Sequence, residues 1–578
     1  MSNKKQNRSN TNGGNNTSYR GKSQQGKPRQ QRKQQNQGGK SKPNNSADAT
    51  SQQIMEDAKS GKFNDINDFL RNPMLLKSAA SVPIFPILGT NIGGAKPAPG
   101  VMAFGWIPNF GNYQTAAPRA TGVTGATLNL TPPPVALNQA SDSTYSFLVH
   151  ANSRNYNYNA PDLFLLILAG SQVFSIIEAM KRAYGLAKRY IETDLYTPDT
   201  WLKAMGFDPI SLRHNLSQAW FDINNLIMQT RQIWVPSVFP IVTRWMDMNS
   251  NIYKDADGDY AQTYVYVQAK YFKYNEVDVN TGGSLEVARL TPSGAEAEED
   301  FNPGPKQYVW SDWVKVAQDM ISALINSEDR GIIYGDLLNA YTAERIIAIS
   351  EIDANYVIDR KYSPEISMQV ENTVICSEYA VPNRLYQYEN ALYPGFAAAN
   401  TQSFRNLPNR VFLNFHTTSD PTPEMIALAT RFAASYYQAC SVPTKNTSGA
   451  GLIELPAWVP LSSGTEVVVS MSIYTGPSGS ATSGEVDYVV TNRSSATDLG
   501  DMLAWLRSMA FDWHPFTIDA STTSLTAPTQ SQANNNAWSG HEVQEYYGDF
   551  DKYGRIDWEV LRKINDTCEF SLFGVPQI

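Results

Sequence analysis

Apolar residues recur at helical spacing through much of the first half of the chain. Residues 161–189 form a weakly polar stretch that begins with a proline after Asn159, a typical helix start, and residues 198–206 form a short helix between a proline and a glycine. Asp208 begins another helix, and residues 239–248 are a further candidate. The helix after Asp208 has one apolar face, made of Leu212, Leu216, Trp220, Ile223 and Ile227. We therefore predict that helices dominate up to about residue 250.

The second half of the chain mixes strand and helix patterns. Residues 264–271 alternate, with Val265 and Val267 on one side and Tyr264 and Tyr266 on the other, which predicts a strand. Further predicted strands are 466–474 and 485–490, separated by a Gly/Ser-rich turn at 476–484, and the predicted helices are 312–325, 423–440, 498–510 and 557–564. The acid-rich segment 291–305 is predicted to be a solvated loop. The fold class is thus mainly α with a minor β portion, an α+β protein.

The stretch 163–177 is the most apolar of the chain and could be taken for a membrane span. It is bounded by Asp162 and Glu178 and contains Ser171, Gln172 and Ser175. Because fifteen residues are too few to cross a bilayer comfortably, we predict a helix buried in the protein core.

Residues 1–46 differ in composition from the rest of the chain. Their only large hydrophobic or aromatic residues are Met1 and Tyr19, and the others are mostly Asn, Gln, Ser, Gly, Lys and Arg. Such a segment buries too little apolar surface to offset the entropy of ordering, so we predict a disordered arm that reaches about 35–40 Å. A signal peptide is not expected here, because the segment has no apolar stretch.

Charge is distributed unevenly between this arm and the remainder. The first acidic residue is Asp48, and eleven cations precede it. They are Lys4, Lys5, Arg8, Arg20, Lys22, Lys27, Arg29, Arg32, Lys33, Lys40 and Lys42. Of 47 basic residues 36 remain for the body, against 55 acidic residues, which leaves the body at −19. An arm of this charge binds RNA phosphates by releasing counterions, and with almost no aromatic residues it should not select a base sequence.

Candidate chemistry is sparse. The three cysteines, Cys376, Cys440 and Cys568, are too far apart for a CxxC metal site, and their odd number does not suggest a disulfide framework. Asp255, Asp257 and Asp259 begin like a calcium loop, but tyrosines stand at its sixth and twelfth positions. The five histidines, His150, His214, His416, His514 and His541, form no recognisable triad. We expect no catalytic residue, metal, cofactor or small-molecule substrate, and therefore no enzyme.

An ordered set of short segments resembles the capsid proteins of picobirnaviruses. The segments are Asn64-Asp65, Asn72-Pro73-Met74-Leu75-Leu76, Ala79-Ala80-Ser81-Val82-Pro83, Phe147-Leu148-Val149-His150-Ala151-Asn152-Ser153, Asn157-Tyr158, Pro161-Asp162-Leu163, Arg182-Ala183-Tyr184-Gly185, Tyr196-Thr197-Pro198 and Ala204-Met205-Gly206. Each is short, but together they cover about residues 60–260 in the family's order.

The resemblance implies a subunit of a small double-stranded RNA virus, with a helical shell domain and a protruding domain. It implies symmetric dimers, sixty of which form an icosahedral T=1-like shell of 120 subunits. Some members lose an N-terminal peptide by self-cleavage and disrupt membranes, but neither activity can be assigned to residues of this chain. A host receptor or a host membrane would be a partner during infection.

The arm and the resemblance together predict four regions. They are a disordered basic RNA-binding arm at 1–52, a helical shell domain at 53–255, a protruding domain of mixed α/β structure at 256–495, and a C-terminal segment at 496–578 that returns to the shell domain. The function predicted is a capsid protein of the virion that assembles in the host cytoplasm around double-stranded RNA. The alternative is a non-viral RNA-binding or RNA-packaging protein that forms no closed shell.

Overall fold

The structure is a computed structural model, and it describes parts of the region 56–578. The described residues are 56, 74–75, 79, 100–111, 134–189, 196–255, 261–276, 282–376, 381–388, 390–395, 410–445, 452–462, 464–474, 486–489, 492–493, 508, 511–520, 543–547 and 550–575. Within them the α-helices are α1 (Val135–Asn152), α2 (Ala160–Ala187), α3 (Tyr196–Ala204), α4 (Pro209–His214), α5 (Leu216–Thr230), α6 (Pro240–Ser250), α7 (Trp310–Ile325), α8 (Arg330–Tyr341), α9 (Pro364–Glu371), α10 (Pro423–Ala429) and α11 (Trp558–Leu572).

The strands are shorter and gather mainly in the second half. They are β1 (Val101–Pro108), β2 (Tyr253–Lys254), β3 (Thr263–Gln268), β4 (Phe272–Asn275), β5 (Ser284–Val287), β6 (Arg289–Leu290), β7 (Glu299–Asp300), β8 (Arg384–Tyr388), β9 (Ala391–Gly395), β10 (Arg410–Phe415), β11 (Ala434–Lys445), β12 (Leu452–Ser462), β13 (Glu466–Tyr474), β14 (Val486–Val489), β15 (Asn492–Arg493), β16 (Thr517–Ala520), β17 (Val543–Tyr547) and β18 (Lys552–Asp557). The fold is mainly helical with a smaller β portion, so the predicted fold class is confirmed.

Helix α2 is the centre of the main hydrophobic core. Asn159 and Asp162 form a capping box around Pro161, which explains why the helix begins there. Helices α1, α5, α6 and α7 pack around it. Gly170 lets the loop after α5 approach closely, because a methyl group there would lie 2.5 Å from a Val235 side-chain carbon. The helix has the length and composition of a membrane span, but its apolar window is entirely buried inside the protein, as predicted for a core helix.

Polar side chains on α2 make hydrogen bonds inside this core. The Gln268 amide donates to Gln172 Oε1 at 2.6 Å, and the Asn249 amide donates to Gln268 Oε1 at 3.0 Å, which ties α2 to β3 and α6. Arg182 donates to the carbonyl oxygens of Met248 and Asn251 at 3.0 and 2.9 Å. These bonds satisfy acceptors at the C-terminal end of α6, so the polar residues of α2 connect elements rather than face solvent.

A five-stranded sheet lies against the helical core in the order β14-β13-β1-β3-β2. The central strand β1 is parallel to β3 and antiparallel to β13. Helices dominate the described residues before 250, as predicted, and β1 is a strand among them that the sequence patterns did not indicate. The strand predicted at 264–271 is confirmed as β3, which ends at Gln268. Tyr264 and Tyr266 are as deeply buried as Val265 and Val267, so both faces of this strand are buried.

Three sequence predictions are changed by the structure. The helix expected after Asp208 is two helices, α4 and α5, which meet at Asn215. The helix expected at 423–440 ends at residue 429, and the chain continues through a 3-10 turn into β11. The predicted loop 291–305 is exposed over most of its length, but it contains β7 and buries Phe301.

The remaining predicted elements agree with the structure or lie outside its described part. Strand β13 has the predicted bounds 466–474, and the helix expected at 557–564 continues to residue 572. The turn at 476–484 and most of the helix at 498–510 lie outside the described residues. The domain boundaries stay a prediction. The five-stranded sheet contains strands from both sides of the boundary predicted between residues 255 and 256.

Candidate assembly surface

The predicted RNA-binding residues cannot be placed on the structure. All eleven cations, from Lys4 to Lys42, lie outside the described residues, as does the whole predicted arm at 1–52. Their role therefore stays a prediction from composition and charge. The structure describes the fold of the body and the surface that is available for contacts with other molecules.

A buried carboxylate joins distant parts of the body. Glu466, at the start of β13, is 1% exposed. Its Oε2 accepts from Arg244 Nε at 2.9 Å and from Arg431 Nη2 at 3.1 Å. Its Oε1 accepts from Trp245 Nε1 at 3.1 Å and from the Thr465 hydroxyl at 2.6 Å. Burial alone would raise the pKa of Glu466, but the two arginines outweigh burial and hold it below its ordinary value.

A second ionic group joins α9, β10 and the segment before β18. His416 Nε2 lies 3.0 Å from Glu371 Oε1, and His416 Nδ1 lies 2.7 Å from Asp551 Oδ2. The hydrogen bond to Glu371, with a further contribution from Asp551, raises the pKa of His416 to about 9. Both ring nitrogens are engaged with carboxylates, so His416 acts as a charged link between elements.

The other residues examined for chemistry are dispersed. His150 and His214 are exposed on helices, His514 is buried, and His541 lies outside the described residues. Asp255 is buried beside Asp512, and burial followed by the Asp512 charge raises its pKa to about 7. Asp257 and Asp259 are not among the described residues. In the described part of the chain, no group of three or more His, Cys, Asp or Glu side chains is arranged to hold a metal ion.

Exposed apolar side chains concentrate on α4 and α5. Among the described residues, three of the five most exposed large hydrophobic side chains are there: Phe221 at 59%, Ile210 at 57% and Met228 at 57%. Single exposed apolar residues are ordinary, but large ones grouped on two consecutive helices indicate a contact surface. Phe221 and Met228 are two turns apart and therefore share one side of α5.

The outer side of α5 carries no charge. We define the α5 stripe as Gln218, Phe221, Asn225 and Met228, all exposed and spaced by three or four residues. The only ionisable residue of α5 is Asp222, whose carboxylate accepts from Trp310 Nε1 at 3.0 Å and from Gln218 Nε2 at 2.7 Å. The stripe therefore offers apolar and neutral polar groups alone.

The neighbouring helix α7 has an ordinary solvent face. Its exposed residues are Ser311, Lys315, Gln318, Asp319 and Ser322. Lys315 pairs with Asp312 at 3.1 Å, and Asp319 pairs with Lys273 at 2.8 Å. Helices α5 and α7 both pack on α2, but α7 exposes charged and polar residues whereas α5 exposes apolar and neutral ones. The α5 stripe is therefore a candidate assembly surface.

Sequence reasoning identified the inner face of α5 and missed the outer one. Leu212, Ile223 and Ile227 are buried as predicted, and Leu216 and Trp220 are partly buried. The sequence signal for the outer face is the seven-residue spacing of Phe221 and Met228, which lie outside the predicted apolar face. Large apolar residues on the second side of a surface helix indicate a second contact.

Comparisons with known proteins all point to one family. The sequence model of the family described as picobirnavirus capsid protein matches residues 119–491. The chain is 22% identical to the capsid protein precursor of human picobirnavirus (strain Human/Thailand/Hy005102/-), over 91% of this chain and 94% of that protein.

A solved structure shares the fold. It is the X-ray crystallographic structure of the picobirnavirus capsid, which matches with a TM-score of 0.62 and 17% identity, over 88% of this chain and 98% of that chain. The family match extends well beyond the segments that suggested the resemblance, into the half of the sequence where short motifs gave no signal. The chain therefore belongs to the picobirnavirus capsid protein family, whose members are structural components of the virion.

Proposed function

We propose that this protein assembles as symmetric dimers into a closed icosahedral shell of sixty dimers, which encloses double-stranded RNA. Membership of a capsid protein family is the observation that carries the proposal, since a capsid is built from repeated copies of its subunit. The uncharged, apolar α5 stripe supports contact between copies. Assembly takes place in the host cytoplasm, and a host receptor or membrane is a partner only during infection.

The basic arm is proposed to hold the RNA. Its eleven cations precede the first acidic residue, whereas the body has a net charge of −19 and repels phosphate. With an acidic body, the arm is the part of the subunit that favours contact with RNA. The contacts are with phosphates, so binding does not depend on base sequence.

The proposed domain organisation keeps a helical shell domain around α2 and a protruding domain above it. The smaller core that includes Val411, Leu413 and Leu461 is separate from the main core. It supports placing the protruding part in the later portion of 256–495. The Phe573 ring lies 6.2 Å from the Phe164 ring of α2, which supports the return of the C-terminal segment to the shell domain.

The RNA role is tested by removing the arm's charge. Deleting residues 1–46 should leave assembly intact and strongly reduce encapsidated RNA, measured as nucleic acid per particle by absorbance and extraction. Binding of the full-length subunit to RNA should fall with salt, with a log–log slope approaching about −7 to −10 if all eleven cations contact phosphates.

A length-matched control separates charge from bulk. An arm with all eleven Lys and Arg residues replaced by glutamine should behave like the deletion, whereas one with asparagines replaced by serine should package like the unaltered protein. Particles of the glutamine variant that carry a full RNA load would rule out an electrostatic role for the arm.

A further inference from the structure

A two-fold contact on an acidic protein has a strict electrostatic requirement. In a symmetric dimer one surface patch meets its own copy, so a charged residue near the axis is opposed by a like charge. Such an opposition is costly once the contact excludes water. The body has 55 acidic and 36 basic residues, so a two-fold contact must keep its many acidic side chains away from the axis.

The α5 stripe satisfies it. Gln218, Phe221, Asn225 and Met228 bring no charge to the surface, and Asp222 is held to Trp310 at the side of the helix. Phe221 and Met228 are 59% and 57% exposed, so their apolar area is available to another molecule. A helix face of this kind can lie against a copy of itself without a repulsive pair.

We propose that the α5 stripe is the centre of the two-fold contact between two copies of this chain. The inference rests on the proposed function, because it requires subunits that assemble. The two α5 helices lie side by side in opposite directions, so that Phe221 of each copy packs against Met228 of the other. Asn225 lies close to the two-fold axis and faces its own copy, where an amide can both donate and accept a hydrogen bond.

The stripe is the anchor of the contact rather than all of it. An obligate dimer interface buries more than about 2,000 Å², far more than one helix stripe provides. Binding energy in such interfaces is concentrated in a few central aromatic or apolar residues surrounded by a polar rim. Phe221, as the aromatic residue of the stripe, is the expected centre of that energy.

A charge placed in the stripe should therefore break the dimer. Phe221→Asp should weaken dimerisation at least about 30-fold, measured by light scattering during size-exclusion chromatography of full-length subunits. Because position 221 is exposed, the subunit itself should stay folded, with an unchanged circular dichroism spectrum. The matched control is Ser322→Asp, at an exposed position on α7, which should dimerise like the unaltered protein.

Charge exchange tests the symmetry of the contact. A chain with Phe221→Lys and Met228→Lys should be monomeric, as should a chain with Phe221→Asp and Met228→Asp. An equimolar mixture should form heterodimers, because each lysine then faces an aspartate of the partner. If both chains are monomeric and the mixture is monomeric too, the stripe does not meet its own copy and the proposal is wrong.

A cysteine at the axis gives a test that does not depend on weakening the contact. Asn225→Cys should form a disulfide-linked dimer on mild oxidation, since two such residues come within the reach of a disulfide only at the axis. Ser322→Cys is the control for exposure and for crosslinking through the native cysteines, of which Cys376 is buried.

These outcomes are separable from failure of the proposed function. If the Phe221→Asp protein dimerises like the unaltered protein and Asn225→Cys does not crosslink, the α5 stripe is excluded while the capsid function stands. If the unaltered protein forms neither dimers nor particles, the proposed function itself has failed.

Discussion

Replacing Leu166 with aspartate should leave the protein insoluble or unable to assemble. Leu166 is fully buried in the N-terminal half of α2, the helix around which α1, α5, α6 and α7 pack. A carboxylate there has no partner, and burying it costs several kcal/mol against a total stability of about 5–15 kcal/mol. Soluble yield and particle formation after expression measure the effect.

Leu166→Met is the matched control. It keeps the volume and the apolar character, so it should cost less than about 1.5 kcal/mol and should leave assembly unchanged. An aspartate variant that stays soluble and forms particles as well as the methionine variant would mean that Leu166 does not face the core.

Replacing Glu466 with glutamine should destabilise the body by about 3–5 kcal/mol, because Arg244 and Arg431 would be left as buried cations without a counter-charge. The change preserves the size of the side chain and its contacts with Trp245 and Thr465. The loss of stability therefore measures the contribution of the negative charge. Urea unfolding of the purified protein, monitored by tryptophan fluorescence, measures the difference in the free energy of unfolding.

An exposed ion pair provides the comparison for Glu466. Arg231 Nη2 lies 2.5 Å from Glu351 Oε1, and the two side chains are 67% and 49% exposed. Because solvent screens such a pair, Glu351→Gln should change stability by less than about 1 kcal/mol. Equal effects at positions 466 and 351 would contradict the structural role assigned to the buried carboxylate.

Local patterns predicted part of the helical fold, including α2, α3, α6 and α7, but they did not indicate α1, α8 or α9. The apolar length and the start signals of α2, together with the repeat from Leu212 to Ile227, reflect interactions within one helix and its nearest neighbours. Strand β13 was equally clear, because a short run rich in valine between turn residues has few alternatives. The acidic body and basic arm follow from composition and need no structure.

The errors have a common cause, which is pairing between residues distant in the sequence. Strand β1 reads as an uninterrupted apolar run with no alternation, and it becomes a strand because β3 and β13 bind its two edges. Residues 434–440 have side chains that suit a helix, but pairing with β12 makes them a strand. The contacts of Glu466 reach residues 244 and 431, and no spacing rule connects those positions.

The candidate assembly surface was missed for a different reason. A helix pattern is read for the side that faces the core, and residues outside that side are treated as solvent-facing. Phe221 and Met228 gain meaning only when their exposure and the lack of charge on the α5 stripe itself are seen together. An interface between subunits is hard to recognise in the sequence of a single subunit.

Electron microscopy of the purified full-length protein, with symmetry determined from the images, would show whether the protein forms a shell. We expect closed icosahedral particles that contain RNA and whose repeating unit is a two-fold dimer, sixty to a shell. A protein that stays monomeric at micromolar concentration and forms no particles at any salt concentration or pH would contradict this expectation.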